Sequence, residues 1–209
     1  MTGCLKAYYK PKVELKMKLS QLLANNNVVS SGFPAIAGLG DNSNTKASST
    51  TVLSSLPASV LANQGITDYY TLVLPRGTQF NTTEDIITAD PDVKHWSIQL
   101  VDTEGLPTVI TTQHQATLDL LHDQYPHAEV LVQRNGDGSP RNLSASDVVG
   151  KHVIGVLPPF LVAEAAAFTS VSIDNYNAAR DGDLSGDQLA DRVRIADKAI
   201  TVREMACND

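Results

Sequence analysis

Two segments, Val109-Ile-Thr-Thr-Gln-His114-Gln-Ala-Thr-Leu-Asp-Leu-Leu121 and His152-Val-Ile-Gly155-Val-Leu-Pro158-Pro-Phe-Leu-Val-Ala163, decide how this chain is read. Each passes from a short apolar, strand-like stretch through a small turn into the start of a helix. In a parallel sheet such turns stand at the carboxyl edge of the strands, where ligand-binding groups are presented. The pair therefore gives a location for a site before any chemistry is assigned.

Working outward, strands and helices alternate from 108 to the end. The pattern predicts strands over 108–110, 129–132, 152–154 and 169–173. It predicts helices over 115–125, 144–149 and 159–167, and a last one inside 184–206 starting near Ser185. In the 115–125 helix, Ala116, Leu118, Leu120, Leu121 and Tyr125 form an apolar stripe. In the last, Leu189, Val193, Ala196 and Ile200 recur at three- and four-residue spacing. The order implies an α/β fold, a three-layer Rossmann-like parallel or mixed sheet with right-handed crossovers, over residues 106–209.

The N-terminal half is less regular. Residues 12–19 alternate as a strand, although 19–23 also fit a helical turn. Residues 1–51 read as an extension with a flexible loop, because 25–51 are rich in Asn, Ser, Gly and Thr. Gly38-Leu-Gly40 lacks the strand and the Lys-Ser/Thr that a phosphate loop needs. Residues 52–105 form an N-terminal α/β part, with a helix over 58–63 ended by Gly65, strands over 69–74 and 96–101, and a helical turn opening near Thr82. Val52-Leu-Ser-Ser-Leu-Pro57 echoes Val153-Ile-Gly-Val-Leu-Pro158 at an offset of 101 residues. The echo is either a divergent repeat or two similar strand–proline–helix joints.

Composition narrows the function. The chain has 209 residues and a net charge of −7, which disfavours a duplex-DNA partner. No apolar run approaches the roughly 18 residues of a membrane span. Lys6, Lys10, Lys12, Lys16 and Lys18 precede no apolar stretch, so they read as a solvated face rather than a signal peptide. Cys4 and Cys207 form no metal-binding pattern. They suit a reducing cytoplasm as lone thiols, or bridge the two ends. Asn81-Thr-Thr83 and Asn142-Leu-Ser144 match the glycosylation pattern by chance. Asp181-Gly-Asp-Leu-Ser-Gly-Asp187 lacks the terminal Glu of a calcium loop and reads as a helix-capping turn. No metal and no cofactor are expected.

Thr111-Thr-Gln-His114-Gln-Ala-Thr-Leu-Asp119-Leu-Leu resembles the V-T-R-H-x-G-A-x-x-W-L opening of a small CRISPR-associated ring nuclease family of type III systems. Val153-Ile-Gly155-Val-Leu-Pro158, with Leu161 and Ala163, resembles that family's V-I-G-T-L-P-x-x-L-A element. The likeness covers about residues 106–205. It implies a cytoplasmic Rossmann-like domain that binds and linearises cyclic oligoadenylate, the second messenger of nucleotide-activated antiviral immunity. It places Thr111, Thr112, Gln113 and His114 in the ligand pocket, with Gly155, Val156, Leu157 and Pro158 as a second wall. Gln113 stands where the pattern has Arg, Ala116 where it has Gly, and Val156 where it has Thr. A two-fold ligand implies a homodimer, unless the internal echo supplies both halves.

The chemistry fits the residue types. A ribose 2′-hydroxyl that attacks its own phosphodiester needs orientation, charge neutralisation and a proton acceptor, but no metal. A histidine titrates near neutrality, so His114 is the candidate catalytic residue. Backbone amides near Gln115 can hold the phosphate, with Lys151 and Arg134 as candidate contacts. His152 reads as structural or exposed, and Gly155 as permitting approach to a ligand or to a neighbouring helix. Two other readings stay open: a non-catalytic sensor or sponge for the same messenger, and a structural or virion protein.

Overall fold

A computed structural model describes residues 17–75, 77, 78, 80–112, 114–131, 142–175 and 186–206. The architecture is mixed α/β, with parallel and antiparallel strand pairs. The chain divides into two compact units.

Among the described residues, the first unit takes 17–54, 70–95 and 205–206. It opens with β1 (Met17–Lys18), α1 (Leu19–Asn25) and β2 (Asn27–Ser31), followed by α2 (Pro34–Ala37), a 3-10 turn (Gly38–Asn42) and β3 (Thr50–Ser54). The expected flexible loop over 25–51 is therefore largely ordered. Its polar residues bond the segment together: the Ser30 hydroxyl donates to Ala37 O at 2.7 Å and accepts from Gly40 N at 2.8 Å. A Cβ at Gly40 would lie 2.8 Å from Val28 O, so this glycine serves close packing on β2. β2 and β3 run parallel from Asn27↔Thr50 to Ser31↔Ser54, and Leu53 pairs with Tyr70 of β4 (Asp68–Leu72).

The predicted turn at Thr82 becomes α4 (Thr83–Ala89), with Thr82 and Asp85 closing a capping box. The hydrogen bonds from Thr82 hold the Asp85 carboxyl below its ordinary range. After α4, Asp90 adopts a left-handed φ of 41°. Its carboxylate accepts from Ser20 N at 2.8 Å and the Ser20 hydroxyl at 3.0 Å, tying the start of α1. Lys18 pairs with Asp92 at 2.8 Å, at the start of β5 (Asp92–Val101). The core gathers Leu19, Leu22, Val28, Leu39, Leu53, Ile86 and Val93.

The second unit takes 55–69 and 96–204. It holds α3 (Ala58–Asn63), β6 (Thr108–Thr111), α5 (Gln115–Gln124), β7 (Glu129–Val130), α6 (Ala145–Val148), β8 (His152–Gly155), α7 (Pro159–Val162) and β9 (Ala167–Ile173), then α8 (Gly186–Ala190), β10 (Val193–Ile195) and β11 (Ala199–Met205). Strands β7, β6, β8 and β9 lie side by side and parallel. β10 and β11 are antiparallel to β9. The register is fixed by Val109↔Val153↔Phe168 on one face and Ile110↔Ile154↔Thr169 on the other. Ile110, Ile154, Val171, Leu121, Leu189 and Val193 form the core on the second face, which α5 covers.

Two sequence expectations fail in this unit. The helix expected inside 184–206 is confined to Gly186–Ala190, and β10 and β11 follow it. Leu189, Val193, Ala196 and Ile200 fit a helical period, but Val193–Ile195 and Ala199–Val202 are also β-rich. Ala199, Ile200, Thr201 and Val202 are all buried, as suits a strand covered on both faces. The helix expected over 159–167 stops at Val162, and Ala167 already pairs with His152 in β9. Val132, Arg134, the 135–140 turn, Asp181–Ser185, Lys6, Lys10, Lys12, Lys16, Cys4 and Cys207 lie outside the described residues.

Candidate ligand site at the carboxyl edge

The two opening segments meet as neighbours. β6 and β8 run in register from Thr108↔His152 to Thr111↔Gly155, so their turns emerge at the same edge. Val156 N donates to Thr111 O at 3.0 Å, extending the ladder by one bond. Thr111 is fully buried.

Gly155 explains how closely these strands approach. Its φ is +136°, outside the range L side chains ordinarily adopt, and a Cβ there would collide with the Thr111 carbonyl oxygen. The close approach is to the backbone of the neighbouring strand rather than to a helix. Beyond it Leu157 is buried, whereas Val156 and Pro158 are exposed.

On the β6 side, Thr112 Oγ1 accepts from His114 N at 3.3 Å. His114 is half-buried and takes the cap position of α5 in extended conformation (φ −101°, ψ 118°). Its carbonyl accepts the first helical bond, from Leu118 N at 3.0 Å. Among the described residues, no side-chain cap bond closes the start of α5, and its first turn holds no acidic residue. The leading amides thus retain the partial positive charge of a helix start, at the edge where the two turns meet. Gln113 lies outside the described residues.

Thr117 is the residue the sequence did not reveal. It occupies the third position of α5, is 3 % exposed, and its Oγ1 has no hydrogen-bond partner among the described residues. Helical side chains lean toward the helix start, so this hydroxyl lies over the same first turn. A buried hydroxyl without a partner is costly, by about 1–3 kcal/mol. No sequence signal marks it, because a lone Thr between Ala116 and Leu118 does not show whether its hydroxyl finds a partner.

A further candidate, Lys151, falls elsewhere, and His152 takes a structural place. Lys151 immediately precedes β8, four residues before Gly155. At about 3.3 Å per residue it stands roughly 13 Å from the carboxyl edge. Its carbonyl instead accepts from Ala166 N and Ala167 N at 3.1 and 3.2 Å. His152 is buried at that same amino edge, with Nε2 2.8 Å from Thr169 Oγ1 and Nδ1 3.5 Å from Thr108 Oγ1. Burial holds its imidazole below its ordinary pKa. It links β6, β8 and β9, as a structural histidine does.

Among the described residues, no group of three or more His, Cys, Asp or Glu is placed to hold a metal ion, and no helix is long and apolar enough to cross a membrane. No protein-family model, curated protein or solved structure matches the chain.

Proposed function

We propose that the second unit is a Rossmann-like domain of a cytoplasmic protein that binds cyclic oligoadenylate at the start of α5 and cleaves it without a metal, ending a nucleotide-activated antiviral signal. The observation that carries the reading is the first turn of α5 at the carboxyl edge, which has no acidic residue and no cap bond from its N-cap side chain, with His114 at that cap position. Backbone amides at a helix start and the helix dipole suit a phosphate. The likeness of residues 106–205 to ring nucleases names which phosphate ester.

In the mechanism, the amides of the first turn hold the phosphodiester and His114 accepts the proton of the ribose 2′-hydroxyl. The 2′-oxygen attacks phosphorus and the bond to the 5′-oxygen breaks. The 5′-oxygen leaves with a proton drawn from water, and His114 returns its proton to solvent, giving a linear product with a 2′,3′-cyclic phosphate and a 5′-hydroxyl. Incubation with cyclic tetra-adenylate in the presence of a chelator yields linear products, and His114→Ala slows this at least roughly tenfold, the low end of what a positioned acid or base contributes. Unchanged turnover in the variant removes His114 from the mechanism.

One observation favours a second reading, a non-catalytic sensor or sponge. Lys151, the described cation nearest in sequence to the second turn, stands at the opposite edge. Tight binding of the ring without turnover selects that reading. No binding of any cyclic oligonucleotide removes both.

A further inference from the structure

The second unit carries a cleft that the proposed chemistry does not use. It has a volume of about 230 Å³. On β9, Phe168 and Ser170 face it, whereas Val171 points into the core under α5. The cleft therefore opens on the face of the sheet away from α5. Leu100 of β5, Phe168 and Ile200 of β11 supply an apolar floor, and Ser59 and Asn63 of α3 form one wall. Its lip is the bend between β10 and β11, where Asp197 and Lys198 stand side by side and exposed. Leu100 is 59 % exposed, a large apolar side chain left open inside a concave surface.

We propose that this cleft binds a free apolar α-amino acid. Small-molecule sites combine an apolar body with a few placed polar groups, and typically run to roughly 300–1,000 Å³ for drug-sized ligands. The smaller volume here limits the occupant to a compact molecule. The lip offers one cation and one anion, which matches a carboxylate on Lys198 and an ammonium on Asp197. The Ser59 and Ser170 hydroxyls and the Asn63 amide satisfy the remaining donors and acceptors. The ligand's aliphatic or aromatic side chain then covers Leu100 and Ile200. A phosphate fits poorly, because Asp197 offsets the charge of Lys198. A nucleobase fits poorly too, because Phe168 is the one ring among the described lining residues and, at 6 % exposed, offers no face for stacking.

Calorimetric titration of the full chain with L-leucine, L-methionine and L-phenylalanine tests this. At least one binds, and its affinity falls roughly fivefold in Lys198→Gln and again in Asp197→Asn, the upper end for an exposed ion pair. Both side chains are exposed, so both variants fold, which circular dichroism checks. Isoamylamine and 4-methylpentanoate, which carry one charge each, bind more weakly than L-leucine. Absence of binding by all three amino acids overturns the proposal. So does binding indifferent to either substitution, or equal binding of the singly charged analogues.

Discussion

Gly155→Ala should be among the most damaging single-methyl substitutions in the second unit. Two costs add. The backbone at φ +136° is essentially reserved for glycine, and holding alanine there costs about 1–3 kcal/mol. The new methyl would also overlap the Thr111 carbonyl, with Thr111 C only 2.8 Å away. Both partners are backbone in adjacent strands, so no side chain can swing aside, and overpacking of this kind adds about 1–3 kcal/mol. The total is about 4 kcal/mol. Gly150→Ala is the control. Its φ is +72°, but nothing lies within 4 Å of the added methyl, so only the conformational cost of about 1–2 kcal/mol applies. Urea unfolding followed by fluorescence reads both, because the single tryptophan, Trp96, belongs to the second unit. If Gly155→Ala is no less stable than Gly150→Ala, the close approach of β6 and β8 does not require the glycine, and the reasoning is refuted.

Two other outcomes follow from buried groups. Thr117→Val removes a hydroxyl that has no partner, and the two residues have similar helix propensity, so the unliganded protein should gain about 1 kcal/mol in thermal or urea unfolding; a loss of stability would mean that the hydroxyl is paired. Burial lowers the His152 pKa, so the unfolded chain takes up this proton first as pH falls below about 6.5. Stability contributed by the neutral His152 is thus fully present above pH 6.5 and declines below it, down to the folded-state pKa. His152→Gln should flatten that slope between pH 5 and 7, and identical slopes in the two proteins would contradict it.

What the sequence made legible was local and periodic. The strands near 108 and 152, the α5 stripe and the carboxyl-edge turns follow from residues that have one good conformation. Pro57 and Pro158 show why the echo at 101 residues is visible: both precede a helix, and both carbonyls accept from amides three and four residues on. What was missed depended on partners distant in sequence. Residues 193–205 satisfy a helical period and a strand pattern together, and pairing with β9 decides for strands. The Asn- and Ser-rich segment 25–51 looks like a loop until Val28 and Leu53 find each other's core. Lys151 looked like a site residue because it neighbours the second motif in sequence. A β-strand lies between it and the turn, and extended chain converts that into roughly 13 Å.

That displacement sets the energetics of the proposed site. With Lys151 at the far edge, a phosphate at α5 is met, among the described residues, by amides, the helix dipole and His114. A helix start contributes typically 0.3–1 kcal/mol to a nearby charge and about 2 in sheltered geometry, well short of a bidentate Arg. One such turn holds one phosphate weakly. A cyclic oligonucleotide repeats its phosphates around a symmetric ring, so two copies of this chain can each present an α5 start to the same ligand. The second contact is then made at the high effective concentration that the first creates, and the affinity multiplies without any new residue. Under the proposed function, a cyclic oligoadenylate is best held by a homodimer, unless the internal echo lets one chain supply both halves; a monomer with a single such turn would favour a singly phosphorylated ligand.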